Sequence, residues 1–145
     1  MENASEPRSH RAEGKQQGSC HCGAVRFEVR LEPGSKGSRC NCSICSKTGV
    51  TSFLVKPESF TLLTPEADLR SYEQGFKISK RYFCPHCGIH CFGRGHLPEV
   101  GGDYVSINAN CLDDLEPTTI ESVYWDGRHN NWEAGPRDRP WPTHA

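Results

Sequence analysis

Nine cysteines in 145 residues, seven of them gathered in three short clusters, constrain this sequence more than any other feature. The clusters are Cys20-His21-Cys22, Cys40-Asn41-Cys42-Ser43-Ile44-Cys45 and Cys84-Pro85-His86-Cys87. Two cysteines one residue apart on an extended segment project to one face, so Cys20 and Cys22 can offer both sulfurs to a single ion. Cys84 and Cys87 bracket a Pro-His turn, and Gly88 follows where a closing knuckle needs left-handed backbone. Each pair supplies half of a tetrahedral site, and an ion shared between them would cross-link distant parts of the chain. Zinc suits that task because it accepts four thiolates without a redox change, at about 2.3 Å per Zn–S bond, and because ligand deprotonation links folding to metal binding. Ordinary buried or disulfide-bonded cysteines are the plainer alternative, and the spacing argues against them.

The middle cluster places three ligands, Cys40, Cys42 and Cys45, within six residues. They are enough for a second ion but leave tetrahedral zinc one ligand short. Water, a substrate or a further protein group can take the remaining position, with Cys91 and the histidines as candidates. A protein group there would make the second site structural too. Three thiolates donate strongly and leave zinc a weaker Lewis acid than three histidines would. Such a centre suits capture of a thiol as thiolate, or polarisation of a carbonyl beside it, better than generation of hydroxide.

The rest of the chain bounds the setting. Lys and Arg number 17 against 18 Asp and Glu, so the overall charge gives no reason to expect nucleic acid or an anionic membrane as partner. The sequence contains no apolar run of membrane-spanning length and no apolar signal core near its start, which points to the cytoplasm. In a reducing compartment, so many cysteines indicate metal or thiol chemistry rather than disulfides.

The 14 glycines and 10 prolines, with only 34% hydrophobic residues, favour a turn-rich, mainly β single domain over a helical bundle. Alternating or short apolar runs predict strands at Val25 to Leu31, Thr51 to Val55, Phe60 to Leu63 and Tyr104 to Ala109, with a last one within Ile120 to Trp125. A further pair, Arg70 to Glu73 and Ile78 to Phe83, would turn around Gly75. Met1 to Gln17 offers only Met1, Ala4 and Ala12 as apolar positions, too few to offset the entropy of ordering. The expected organisation is a flexible polar tail over residues 1–15, a zinc domain over 16–133 and an extended C-terminal tail over 134–145.

The run Gly18-Ser19-Cys20-His21-Cys22-Gly23-Ala24-Val25-Arg26-Phe27, followed in order by the Cys40 to Cys45 cluster and by Phe83-Cys84-Pro85-His86-Cys87-Gly88, resembles the glutathione-dependent formaldehyde-activating enzyme family. The centromere protein V group shares that domain. The resemblance covers roughly Gln16 to Trp132, and three ordered clusters are far more specific than any one of them. It implies an Mss4-like, zinc-stapled β-sheet fold with two zinc ions per chain. Cys20, Cys22, Cys84 and Cys87 match the family's structural ligands, and Cys40, Cys42 and Cys45 match its catalytic ones. The activity implied is that of a carbon–sulfur lyase joining formaldehyde and glutathione into S-hydroxymethylglutathione, with glutathione as co-substrate.

Other residues are weighed against plainer roles. Cys91 and Cys111 fit as small core residues. Lys47, Arg81 and Arg94 flank the cysteine motifs and could meet glutathione's carboxylates, although solvated surface charge is the simpler reading. His21 and His86 lie between ligands without implying coordination. Trp125 and Trp132 would close the core or wall a ligand pocket. The main competing function is a non-catalytic zinc module that binds a protein partner, as in the centromere-associated relatives. A nucleic-acid-binding zinc ribbon ranks behind it because no basic stripe is present.

Overall fold

Alternation dictates the first hairpin: in Arg26–Leu31 the side chains of Phe27, Val29 and Leu31 are buried while Arg26 and Arg30 face solvent. The computed structural model describes residues 10–73 and 79–144. In chain order its elements are β1 (Gly14–Ser19), β2 (Arg26–Leu31), β3 (Gly37–Cys40), α1 (Ser43–Thr48), β4 (Ser52–Val55), β5 (Phe60–Leu62), β6 (Arg70–Glu73), β7 (Ser79–Phe83), β8 (His90–Leu97), β9 (Gly102–Asn108) and β10 (Ser122–Trp125). Short single-turn 3-10 segments fill several connections. The fold is mainly β, as the sequence predicts.

The strands form two sheets, one of three in the order β1-β2-β5 and one of seven in the order β10-β3-β4-β9-β8-β7-β6. Only β10 and β3 pair in parallel among these neighbours. The core lies between the sheets. Phe60 of the small sheet meets Phe92 of the large one at 4.7 Å between ring centroids, and Tyr82 stacks on Phe92 at 4.8 Å. Phe27, Phe53, Val105 and Ile107 are fully buried around them, each such side chain stabilising the fold by about 1.5–3 kcal/mol.

Three elements depart from the sequence reading. The polar stretch expected as a tail is ordered as β1 from Gly14, pairing with β2 along its whole length. Its buried positions are Gln16 and Gly18; the Gln16 amide donates to the carbonyls of Arg11 and Glu13 at 3.2 and 2.8 Å, so the strand buries a satisfied polar group and a glycine and gives no apolar alternation. The strands β3 and β8 are also unannounced, because Gly37, Gly93 and Gly95 break their patterns. The turn expected at Gly75 and Ile78, and the first nine residues of the tail, lie outside the described residues.

The segment read as an extended C-terminal tail folds back along β10. Tyr124 and Arg137 exchange backbone hydrogen bonds of 2.8 and 3.0 Å, and the Trp141 indole N–H donates to the Tyr124 carbonyl at 2.9 Å. Among the described residues no helix is long and apolar enough to cross a membrane.

Candidate metal centres and the cavity beside them

Cys20 and Cys22 sit in the turn that leaves β1, and Cys84 and Cys87 in the turn that leaves β7. Both turns close locally. The Cys20 N–H donates to the Val25 carbonyl at 3.1 Å and the Gly23 N–H to the Cys20 carbonyl at 3.2 Å; the Cys84 N–H meets the Ile89 carbonyl at 3.0 Å and the Gly88 N–H the Cys84 carbonyl at 2.8 Å. The first pair is therefore presented by a tight turn, not by the extended segment expected from the sequence. Gly88 adopts φ +78°, the left-handed backbone that a closing knuckle requires.

The four sulfurs all lie within 4.8 Å of one another. Cys20 to Cys22 and Cys22 to Cys84 are each 3.7 Å, and a tetrahedron of thiolates at about 2.3 Å from zinc has edges of about 3.8 Å. Backbone N–H groups of Val25 and His86 point at the sulfurs of Cys20 and Cys84, each at 3.3 Å. The Cys87 thiol is lowered to about 6, first by the Ile89 N–H and then by the Cys22 N–H. Donors aimed at sulfur favour thiolates, so the group fits a tetrahedral thiophilic ion. Such an ion would join the three-stranded sheet to the seven-stranded one. His21 and His86 are exposed and stand outside the group.

Cys91 and Cys111 are core residues, 0% and 5% exposed, with their thiols toward the carbonyls of Ile89 and His90. The cavity described next does not touch them.

Cys40 ends β3, Cys42 immediately precedes α1, and Cys45 lies in its first turn. All three line a cavity of about 100 Å³. Among the described residues only the four-cysteine group brings its sulfurs all within 4.8 Å of one another; the trio does not meet that spacing. Its thiols still interact: donation from Cys40 and Cys45 pulls the Cys42 thiol down to about 2, and the contact with Cys42 pushes Cys40 up. Among the described residues no further cysteine and no histidine, aspartate or glutamate lines the cavity.

The walls are specific. Arg81, from the middle of β7, places Nη1 and Nη2 at 3.8 and 3.7 Å from the Cys45 sulfur. Its Nε is buried without a hydrogen-bond partner, as is the indole nitrogen of Trp125. Trp125 is the register partner of Cys40 and packs against Trp132 at 6.0 Å between centroids, so the two indoles form a wall of the cavity. Arg39 lines it too, held by Thr51 Oγ1 at 3.0 Å.

Of the cations singled out from the sequence, Arg81 alone reaches the trio. Arg94 pairs with Glu66 at 3.3 Å over the rings of Phe60, Tyr82 and Phe92, and Lys47 is exposed at the end of α1.

A brace not foreseen from the sequence holds the trio's loop. Asn41 donates to Asp126 Oδ1 at 2.7 Å and to the Pro142 carbonyl at 2.9 Å. Its own oxygens accept from the Arg128 N–H and Nε, both at 2.9 Å. Asp126 is buried. Burial opposes its ionisation, but hydrogen bonds from Asn41, His129 and Asn131 outweigh that and hold the carboxyl below its ordinary range. Next to it, Gly127 leaves no room for a side chain: a Cβ would lie 2.6 Å from the Cys40 sulfur and 2.7 Å from the Trp132 ring. The only sequence signal for the brace is the closeness of Asn41 to its cysteines.

A profile of the family described as glutathione-dependent formaldehyde-activating enzyme matches residues 15–127, a span that includes all seven clustered cysteines, Arg81 and Asp126. The chain belongs to that family. A Halomonas elongata protein provisionally named for this enzyme is 37% identical over 79 residues, 49% of this chain and 50% of its own length. A Penicillium rubens protein of the same provisional name is 34% identical over 94 residues, 61% of this chain and 49% of its own. The chain thus spans about half the length of these relatives. The crystal structure of a Rhodobacter sphaeroides protein superposes with a TM-score of 0.65 at 28% identity, covering 75% of this chain and 98% of that one. Arg128, Trp132 and the returning C-terminal segment lie beyond the stretch that matches the family profile.

Proposed function

We propose that the protein is a zinc-dependent enzyme of the carbon–sulfur lyase type, handling a glutathione–aldehyde adduct: S-hydroxymethylglutathione formed from glutathione and formaldehyde, or the product of a related thiol and aldehyde. Cys20, Cys22, Cys84 and Cys87 hold a structural ion, and Cys40, Cys42 and Cys45 hold the reactive one. The observation that carries this reading is the cavity that opens onto the second trio, walled by arginine and tryptophan and free of carboxylate. A purely structural or partner-binding module would have its second site closed by a fourth side chain, and among the described residues the lining offers no further cysteine and no histidine or carboxylate for that position. All nine cysteines are free, which suits a reducing compartment such as the cytoplasm.

In the reaction the thiol sulfur adds to the aldehyde carbon, the C=O π pair moves to oxygen, and the proton lost from sulfur ends on that oxygen. A zinc ion held by Cys40, Cys42 and Cys45 would supply a soft centre able to stabilise a thiolate. The chain does the rest by position. Arg81 and Arg39 give an anionic tripeptide thiol two cations to approach. Trp125, Trp132, Leu97 and Val100 line the cavity and limit water around the adding pair, so that the two reactants meet in a fixed orientation. The cavity's size suits the reacting end of glutathione, with the remaining arms toward the mouth.

The test is to count zinc per chain and follow glutathione with formaldehyde by NMR, for wild type and Cys42→Ser. Two ions and a rate above background are expected for wild type, and background alone for the variant. A fully metallated, folded wild type that adds nothing to the uncatalysed rate would remove this reaction from consideration.

A further inference from the structure

The cation at the trio is unusual in what it lacks. Arg81 is half-buried on β7, between Tyr72 of β6 and Gly93 of β8. A guanidinium taken this far out of water needs an anion, yet the partner of its terminal nitrogens is the Cys45 sulfur alone, at 3.8 and 3.7 Å. No salt bridge to a carboxylate is found for it among the described residues, and its Nε has no partner at all. It also stands where two cavities meet. One is the space at the trio, and the other is a smaller one bounded by Thr48, His90 and Asn108. Neither contains an acidic residue.

Charge counting gives this placement a purpose. Three thiolates outweigh a divalent ion by one negative charge, so an incoming thiolate would meet a centre of its own sign. The two-pronged contact on Cys45 offsets that excess at one of the three ligands. Resting on the assignment of a second ion to Cys40, Cys42 and Cys45, we propose that Arg81 is a specificity-determining, positioning residue: by neutralising the trio through Cys45 it makes the open position take an anionic sulfur in preference to a neutral ligand.

The test uses the full chain loaded with Co²⁺, whose sulfur-to-metal charge-transfer absorption reports each added thiolate, in wild type, Arg81→Gln and Arg81→Lys. At one fixed pH each protein is titrated with 2-mercaptoethanol and, separately, with imidazole. Arg81→Gln is expected to lose at least about tenfold in thiol affinity relative to imidazole, the scale of truncating one partner of a buried charged contact. Arg81→Lys should recover part of it, keeping the charge but not the fork. If Arg81→Gln no longer holds the second Co²⁺ while Arg81→Lys does, the charge role is supported. An unchanged thiol-to-imidazole ratio in Arg81→Gln, or an equal loss of the second ion in both variants with the four-thiolate spectrum intact, overturns it. Conversion of glutathione and formaldehyde is scored separately: a shifted ratio without turnover defeats the proposed reaction and leaves this inference standing, and turnover with an unshifted ratio does the reverse.

Discussion

Gly127→Ala tests whether the C-terminal part of the domain shapes the second metal centre. Its backbone would accept alanine, since no left-handed φ is involved there; the obstacle is space. A Cβ would lie 2.6 Å from the Cys40 sulfur and 2.7 Å from the Trp132 ring, whereas carbon contacts settle at about 3.5–4.0 Å. Something must therefore yield by about 1 Å. The Trp132 ring is wedged against Trp125, and Cys40 is fixed at the end of β3, so neither retreats freely. A metal ligand tolerates about 0.2 Å of error, a fraction of the displacement required. Overpacking of this kind costs about 1–3 kcal/mol, and if it falls on the ligand geometry the second ion binds roughly fivefold to a hundredfold more weakly. Competition with a chromophoric chelator, read against zinc per chain, measures this directly. The four-cysteine ion should be retained, with the thermal transition lowered by about 3–10 °C, the scale of 1–3 kcal/mol in a domain of this size. Two ions held at wild-type affinity would refute the claim that Cys40 and Trp132 are locked around this glycine.

Cys84→Ser removes a ligand from the ion proposed to join the sheets, and should lower stability by at least about 3 kcal/mol, roughly 10 °C in Tm; Cys42→Ser should lose one zinc and keep most of the transition, both read by calorimetry beside metal analysis. Asp126→Asn should lower stability at neutral pH and flatten its loss on acidification. The folded carboxyl sits below its ordinary value, so its contribution is present above the unfolded value of 3.8 and disappears as pH falls through the lower folded one. The gap in Tm between wild type and Asp126→Asn should therefore be open at neutral pH and close on acidification, and a gap independent of pH would contradict the hydrogen-bonded account.

Legibility followed the chemistry of each residue. Cysteine spacing sufficed to gather the four-sulfur group, because a thiophilic ion needs its ligands close and little else satisfies that pattern. Strands β2 and β9 were readable because Phe27, Val29 and Leu31, and then Val105 and Ile107, alternate with polar neighbours. Strand β1 was not, since it buries Gln16 against its own backbone carbonyls. The brace was hidden for a related reason: Asn41, Asp126 and Arg128 are ordinary surface types in sequence, and only the fold brings positions 85 and 87 residues apart into hydrogen-bond contact. Arg81 was visible as a candidate but its surface reading failed, because a period-2 pattern broken by lysine and arginine in β7 does not reveal that one of them points at a thiol.

Strand β7 ties these observations together. It bears Arg81 against Cys45 and, three residues later, delivers Cys84 to the four-sulfur group, a distance of about 10 Å along an extended chain. An ion shared by Cys20, Cys22, Cys84 and Cys87 pins the end of that strand to the small sheet, and thereby fixes the height at which the guanidinium meets the second trio. The two centres are then not independent. On the proposed assignments the first ion would do more than hold the domain closed: it would set the position of the cation that faces the second trio, so the spacing from Arg81 to Cys84 would be as much a part of the proposed site as the cysteines that line it.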